Sequence, residues 1–428
     1  MRQVLNQFRS FDRPVRLLLA NQLGINLGFY MLMPYLAAHL SGELGLTAWV
    51  VGLVLGVRNL SQQGMFLLGG SLADRFGYKP LIVAGCALRT AGFVLLGLVD
   101  SLPALIAASA ATGFAGALFN PAVRAYLARD AGDRRLEAFS LFNVFYQGGI
   151  LLGPLIGLAL TGIAFRLTAL AAAAVFAALT VLQLRALPEC SPQHDPTPGP
   201  PSTRVGWRVV WGNRPFLLFS LAMIGSYVLS FQVYLALPLQ TRHMVSSELA
   251  ATVAVGMLFA VSGLLAVAGQ VRITAWCAQR FNRGQTLTVG LALMAAAFLI
   301  PLATSAAHPS GSIRGAALAM TPLVLSTALL TLGTLVVYPV EMDTIVSLSG
   351  DRFVATHYGL YNTLCGIGIT AGNLLTGTAF DLARSTGWPA LPWLVLAALG
   401  TGCALAVHVL ARRGHLDPTR APQPASSQ

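Results

Sequence analysis

Residues 104–117 read ALIAASAATGFAGA, an unbroken run of small and apolar residues that no water-exposed helix would show. A strand of a transmembrane barrel would alternate polar and apolar residues, and this run does not. Comparable runs of about 20 residues, the length that crosses a bilayer, recur along the whole chain. Hydrophobic residues make up 55% of the 428 residues, and charged residues only 10%. The sequence therefore predicts an all-α polytopic membrane protein.

Twelve such runs are predicted to be transmembrane helices, six in each half of the chain. The spans of the first half are 16–39, 47–70, 80–99, 102–124, 138–161 and 165–187. Those of the second half are 215–240, 250–274, 285–306, 316–340, 355–380 and 388–411. We expect two pseudo-symmetric six-helix bundles, an N-terminal one at 1–187 and a C-terminal one at 215–411. A proline-rich cytoplasmic linker at 188–214 joins them, and a disordered cytoplasmic tail follows at 412–428.

The two halves also repeat one another in sequence. The tripeptide Gly-Asp-Arg at 132–134 recurs at 350–352, and the glycines at 149 and 153 recur at 368 and 372, an offset of 218 or 219 residues. In transporters, internal repeats of this kind place the substrate site between the halves near the bilayer midplane, and one half rocks against the other to give alternating access.

The distribution of basic residues predicts the orientation. A cytoplasmic N-terminus places most of them on the inside: Arg75, Lys79, Arg124, Arg129, Arg134, Arg135, Arg185, Arg204, Arg208, Arg214, Arg280, Arg283, Arg412 and Arg413. The opposite loops carry only Arg166, Arg242, Arg314 and Arg384. By the positive-inside rule both termini are cytoplasmic, in the inner membrane. The net charge of +12 is spread over many short loops, which indicates lipid headgroups as partners and excludes nucleic acid. The five cysteines, Cys190 among them, show no paired spacing, and we expect free thiols.

Residues 70–80 read GSLADRFGYKP and lie in the cytoplasmic loop between the second and third spans. This stretch resembles the signature GxLaDRxGrkp of the major facilitator superfamily and departs from it at Tyr78, where arginine is usual. A carboxylate at such a position can pair with arginines or lie against a helix N-terminus. The resemblance implies a conformational latch that holds the outward-facing state closed on the inside. Its residues are Gly70, Asp74, Arg75, Gly77 and Lys79. Alternatively, Arg75 and Lys79 only determine topology.

Residues 149–158 of the fifth span, GILLGPLIGL, resemble the family element GxxxGPxxGG that is associated with exporters, with Leu158 in place of the last glycine. Glycines four residues apart expose a flat helix face for close packing, and a proline permits a bend. We predict a gating helix at Gly149, Gly153, Pro154 and Gly157.

Ionisable and polar groups inside spans are candidates for function, because lipid penalises them. Arg58 and Arg89 lie in the middle of spans two and three, where they bind anionic groups or donate hydrogen bonds to neighbouring carbonyls. The predicted cavity and substrate residues are Asn26, Tyr30, Arg58, Gln62, Arg89, Asn143, Gln147, Tyr234 and Asn362.

Glu341 and Asp343 follow Pro339 at the cytoplasmic end of span ten. A half-wet position there would suit proton exchange, so both are predicted proton-coupling residues. In the alternative, they line the cytoplasmic rim or pair with Arg124 or Arg352.

The residues around Arg58, Gln62, Asp74 and Arg89 are similar to the bacterial 12-span drug/proton antiporter branch of the family. The resemblance implies a secondary transporter, a monomer without cofactors, that exports drug-like or secondary-metabolite small molecules against protons. The sequence contains no nucleotide-binding P-loop, no catalytic cluster and no metal-ligand cluster, which argues against an enzyme. The alternative is a dedicated carrier for one metabolite, such as a siderophore-like or other amphipathic anion.

Overall fold

A computed structural model of the protein describes residues 2–189, 203–244, 248–305 and 313–416. Predictions that concern 190–202 and 417–428, including Cys190, much of the linker and most of the tail, lie outside these ranges. Helices of the first half are α1 (Arg2–Arg9), α2 (Arg13–Ala38), α3 (Ala48–Gln63), α4 (Phe66–Phe76), α5 (Tyr78–Leu98), α6 (Leu102–Ala131), α7 (Arg135–Thr161), α8 (Phe165–Ala186) and α9 (Thr203–Gly212). Those of the second half are α10 (Arg214–Ser230), α11 (Ala236–Met244), α12 (Glu248–Arg280), α13 (Arg283–Ala297), α14 (Leu299–Ala303), α15 (Ile313–Ser349), α16 (Val354–Thr386) and α17 (Leu391–Arg412). No strand occurs within the described ranges, so the predicted all-α class is confirmed.

Each of the twelve predicted spans falls on one or more of these helices. Nine helical segments of the described chain are long and apolar enough to cross a membrane, judged by length and composition. One of the nine, Leu102–Thr161, contains both α6 and α7. The helices satisfy their own backbone hydrogen bonds, which is why a chain this apolar can enter lipid. The number of helices that cross the bilayer stays a prediction.

In three predicted spans the helix is interrupted by a short break or turn. The second span breaks at Gly64 and Met65, where the Met65 backbone has φ −103° and ψ 2°. A β-carbon at position 64 would lie 2.9 Å from the Leu60 carbonyl oxygen, so glycine suits the break. The seventh span contains a 3-10 turn at Phe231–Val233, and the ninth divides between α13 and α14 at Phe298.

Two compact units make up the chain. The first unit comprises Met1–Gly212 together with Arg352–Gly366, so it includes the beginning of α16. Within this unit α2 packs against α7 and α8, α5 packs against α6 and α8, and α3 and α4 pack against α6. Its core is aromatic and aliphatic; Phe93 and Phe176, for example, meet edge to face with ring centroids 5.4 Å apart.

The second unit comprises Asn213–Asp351 and Ile367–Gln428. Here α13 packs against α15 and α17, α12 packs against α15, and α10 packs against α17. These pairings correspond one for one to α5 with α6 and α8, α3 with α6, and α2 with α8 in the first unit. The sequence repeat is therefore matched by a repeated order of helix packing. Two side chains cap helices here: Asn213 accepts from the Phe216 amide, and Asn282 forms a capping box with Gln285.

Candidate functional site

The carboxylate of Asp74, near the end of α4, lies against the first turn of α16. Its Oδ2 accepts hydrogen bonds from the amide and the hydroxyl of Thr356, at 2.7 and 2.6 Å, and its Oδ1 accepts from the amide of Ala355 at 3.2 Å. Because α16 begins at Val354, both amides belong to the N–H groups that a helix leaves unpaired at its start. A negative charge at this end is also favoured by the helix dipole.

Asp74 is buried, with 2% of its surface exposed. Tyr78 contributes a fourth, longer hydrogen bond, from its hydroxyl to Oδ1 at 3.4 Å. Burial raises the pKa of Asp74 to about 6, although the hydrogen bonds from Thr356, Ala355 and Tyr78 act in the opposite direction. The carboxyl group therefore titrates near neutral pH while it is in contact with α16.

Two glycines of the 70–80 motif make this contact possible. A β-carbon at Gly70 would overlap the carbonyl of Ala355, so only glycine lets α4 approach the start of α16 this closely. Gly77 has φ 93°, a left-handed conformation that ends α4 and turns the chain into α5.

The basic residues of the motif are not among the partners of Asp74. Arg75 is exposed, and its guanidinium lies 5.2 Å from the ring centroid of Phe76. Lys79 is half-buried and has no described ion pair. The structure thus divides the predicted latch residues: Gly70, Asp74 and Gly77 build the contact, while Arg75 and Lys79 lie outside it.

The glycines of α7 lie against α2. A β-carbon at Gly149 would come within 2.6 Å of the Asn26 Cβ, one at Gly153 within 2.9 Å of the Leu27 carbonyl oxygen, and one at Gly157 would overlap the Met31 carbonyl. The helix continues through Pro154, whose carbonyl accepts a hydrogen bond from the Tyr35 hydroxyl at 2.6 Å. The four predicted gating residues therefore all lie where α7 packs against α2.

Arg58 of α3 and Arg89 of α5 both stack on Phe29 of α2. Their Cζ atoms lie 4.5 and 5.0 Å from its ring centroid. Arg58 donates to Gln62 Oε1 at 2.8 Å, so three of the predicted cavity residues form one cluster.

The other predicted cavity residues are divided between the two units. Asn362, on the part of α16 that belongs to the first unit, accepts a hydrogen bond from Arg124 at 2.9 Å. Asn26 donates to the carbonyl of Tyr146 at 3.1 Å. In the first unit, Tyr30 and Gln147 are half-buried and Asn143 is buried, whereas Tyr234 in the second unit is 45% exposed.

Glu341 and Asp343 both lie on α15, which continues past Pro339, and their surroundings differ. Glu341 is 2% exposed and accepts a hydrogen bond from the Ser226 hydroxyl of α10 at 2.9 Å. Asp343 is only partly buried and forms an ion pair with Arg283 at 2.8 Å. Burying a carboxylate is costly unless a cation offsets the lost hydration, and Asp343 has such a cation.

Comparison with known proteins identifies the family of this chain. The profile of the Major Facilitator Superfamily matches residues 18–373. The chain belongs to the Major Facilitator Superfamily.

Two relatives of this superfamily align over nearly the whole chain. An uncharacterized MFS-type transporter of Mycobacterium tuberculosis (strain ATCC 25618 / H37Rv) is 55% identical over 395 residues, 92% of either chain. The multidrug resistance protein MdtH of Shigella dysenteriae serotype 1 is 29% identical over 390 residues, 91% of this chain and 92% of the relative.

Among solved structures, the fold is similar to that of two transporters. The human organic anion transporter MFSD10 (TETRAN) has a TM-score of 0.67 at 16% identity, covering 92% of this chain and 99% of the other. An auto-inhibited POT family peptide transporter also has a TM-score of 0.67, at 18% identity, covering 97% and 99%. The protein is thus a multi-pass membrane protein with the MFS fold, in a family of transporters that move small molecules.

Several contacts of this MFS protein carry no recognisable signal in its sequence. The partners of Asp74 at Ala355 and Thr356 use mainly backbone amides, which any residue type supplies. Trp207 of α9 donates to the Ser71 hydroxyl at 2.6 Å and so holds the linker helix on α4. The sequence does indicate where helix α9 can begin, because the prolines of the linker end at residue 201.

Proposed function

We propose that this protein is a secondary transporter that exports drug-like or secondary-metabolite small molecules by alternating access, driven by a proton gradient across the inner membrane. Membership in the superfamily supports transport. The relative named as a multidrug resistance protein, aligned over 91% of the chain, supports export of drug-like compounds. The observation that carries the mechanism is the buried hydrogen-bonded contact between Asp74 and the start of α16.

In this proposal Asp74 is the latch. Its three hydrogen bonds to Ala355 and Thr356 exist only while α4 and the start of α16 are together, so they stabilise one conformation selectively. An interaction that differs between two conformations shifts the population toward the one in which it forms. We assign this contact to the state that is closed on the cytoplasmic side, the side on which both termini are predicted to lie.

We assign the coupled proton to Glu341 rather than to Asp343. Glu341 is buried beside a hydroxyl group, and a buried carboxyl is less costly protonated than ionised. Asp343 is less deeply buried than Glu341, so the opening of a cavity changes its hydration less. Proton binding and release at Glu341 would accompany its movement between buried and hydrated surroundings.

We assign gating to α7. The contacts at Gly149, Gly153 and Gly157 let α7 slide on or separate from α2 without side chains interlocking, and Pro154 leaves one backbone carbonyl without its usual helical donor. Such a helix can bend at low cost when a cavity opens or closes.

The experiment is proton flux in liposomes that contain the purified protein and an internal pH-sensitive dye. Cationic, neutral and anionic amphipathic compounds are added in turn, and compound-induced flux is compared between the wild type and the variants Glu341→Gln, Asp343→Asn and Asp100→Asn. Asp100 is exposed and serves as the matched control.

We expect at least one compound to induce flux in the wild type, and we expect Glu341→Gln to abolish that flux. Asp343→Asn and Asp100→Asn should retain it. Wild-type flux that persists unchanged in Glu341→Gln would contradict the assignment of the proton. Absence of compound-induced flux with every class of compound would contradict proton-coupled export.

A further inference from the structure

Two positively charged side chains lie on the same aromatic ring inside the first unit, with no negative partner in the part of the chain that the structure describes. The guanidinium carbons of Arg58 and Arg89 both lie within 5.0 Å of the Phe29 ring centroid. Arg89 is only 3% exposed, and the rings of Phe119 and Phe176 also face it, with centroids at 4.8 and 5.5 Å. The cluster is therefore a cationic centre with aromatic walls.

The hydrogen-bond partners of the two arginines are all neutral. Arg89 donates to the carbonyl of Thr112 at 2.8 Å, and Arg58 donates to Asn59 at 2.7 Å and Gln62 at 2.8 Å. Among the described residues, no carboxylate forms an ion pair with either arginine. The Nε atoms of both are buried and have no hydrogen-bond partner.

Burying two unpaired positive charges side by side raises the free energy of the folded protein unless an anionic ligand binds between them or beside them. Burial of a single unpaired ion costs several kcal/mol, and a second like charge beside it adds repulsion. Stacking on aromatic rings returns only about 0.5–2 kcal/mol for each contact. Each guanidinium retains an unpaired Nε–H, and the planar N–H groups of a guanidinium are donors well suited to a carboxylate, sulfonate or phosphate.

The surrounding helices leave room for the cluster. A β-carbon at Gly116 of α6 would lie 2.6 Å from Nη2 of Arg89 and 3.0 Å from Cδ of Gln62. Asn59, next to Arg58, is exposed, and Gln62 is half-buried, so a polar face of α3 leads from the surface of the unit to the arginines.

We infer that Arg58 and Arg89 form a binding site for an amphipathic organic anion, with the anionic group between the two guanidinium groups and the apolar body against Phe29 and its aromatic neighbours. The inference rests on the proposed transport function, because it assigns the charge of the transported compound. A phospholipid headgroup offers the same anionic chemistry, and the experiment separates the two sources.

The test is equilibrium binding to the purified full chain in neutral detergent, followed by fluorescence. The probes are dansylglycine and dansylglycinamide, which share one aromatic body and differ in that only the first carries a carboxylate. We expect the wild type to bind dansylglycine roughly 10- to 100-fold more tightly than the amide, as expected for charged hydrogen bonds. Binding needs no gradient, so it is independent of whether the protein exports anything.

Variants of the two arginines test whether they cause the preference for dansylglycine over dansylglycinamide. Arg58→Gln and Arg89→Gln should each bring the two probes to within about threefold of one another, an expectation that follows from losing a charge-assisted bond. Arg166→Gln, which changes an exposed arginine at the start of α8, should bind like the wild type. If Arg89→Gln does not fold, the test rests on Arg58→Gln and Arg58→Lys. Lysine keeps the positive charge but lacks the planar N–H groups of arginine, so Arg58→Lys should retain part of the preference for dansylglycine.

Equal binding of both probes by the wild type, or a preference that survives in the Arg58→Gln and Arg89→Gln variants, would overturn the inference. Nanodiscs of phosphatidylcholine, with and without phosphatidylglycerol, give the second arm. Loss of dansylglycine binding only where phosphatidylglycerol is present would assign the site to a lipid headgroup and overturn the organic-anion assignment. A retained charge preference without compound-induced proton flux would instead contradict the transport proposal and leave the site standing.

Discussion

Replacing Asp74 by asparagine tests the contact at the start of α16 most directly. The asparagine side chain keeps the size of the aspartate but has a single acceptor oxygen and a donor NH2 group. At least one of the three donors at Ala355 and Thr356 then loses its partner or faces another donor. Leaving a buried donor unsatisfied costs about 1–3 kcal/mol, which shifts an opening equilibrium roughly five- to 150-fold.

The pH dependence of the same contact supplies a second, independent expectation. The pKa of Asp74 is about 6 in the contact against 3.8 for an ordinary aspartate, because burial penalises the charged form. Protonation of Asp74 therefore stabilises the contact with α16. This stabilisation is fully present below pH 3.8 and is lost as the pH rises through 6. Between pH 7.5 and pH 5 this corresponds to roughly 1 kcal/mol, or about five- to tenfold, in favour of the contact at the acid end. The protonated carboxyl group still has two oxygens that can accept hydrogen bonds, whereas the NH2 group of asparagine can only donate. Asparagine also does not titrate, so this pH dependence should disappear in Asp74→Asn.

Hydrogen–deuterium exchange of the Ala355 and Thr356 amides measures both effects, after correction for the intrinsic pH dependence of exchange. We expect faster exchange in Asp74→Asn than in the wild type at pH 7.5, and no acid-induced protection in the variant. Asp100→Asn removes an exposed carboxylate and should leave both quantities unchanged. Equal protection of the two amides in the wild type and Asp74→Asn would refute the reasoning.

Three further substitutions test the packing around the candidate site. Gly70→Ala places a β-carbon on the chain at the start of α16 and should raise exchange there, whereas Gly52→Ala, where a β-carbon meets nothing within 4 Å, should not. Gly157→Ala overpacks the contact of α7 with α2 and should lower the free energy of unfolding in mixed micelles by about 1–3 kcal/mol. Arg283→Ala removes the partly exposed ion pair of Asp343, for which denaturation in detergent should show a loss of about 1 kcal/mol or less.

The sequence by itself determined the class of the protein. Apolar runs such as 104–117 specify helices that cross a bilayer, because an unalternating apolar run does not suit a barrel strand and a helix satisfies its own backbone in lipid. The 70–80 motif identified the superfamily, and the repeat at an offset of 218 or 219 residues anticipated two units with the same order of helix packing. The glycines of α7 predicted a close helix contact, because small residues four apart on a membrane helix let two backbones approach each other.

The partners of the functional side chains were decided only by the tertiary structure. Asp74 contacts amides 281 and 282 residues further along the chain, and a backbone amide leaves no mark in the sequence of side chains. Glu341 and Asp343 stand two residues apart, yet neighbouring helices give one a hydroxyl and the other an arginine. Hydrophobicity and spacing are local properties that one stretch of chain expresses alone. Burial and charge compensation depend on which distant residues the fold brings together, and only the assembled helices determine that.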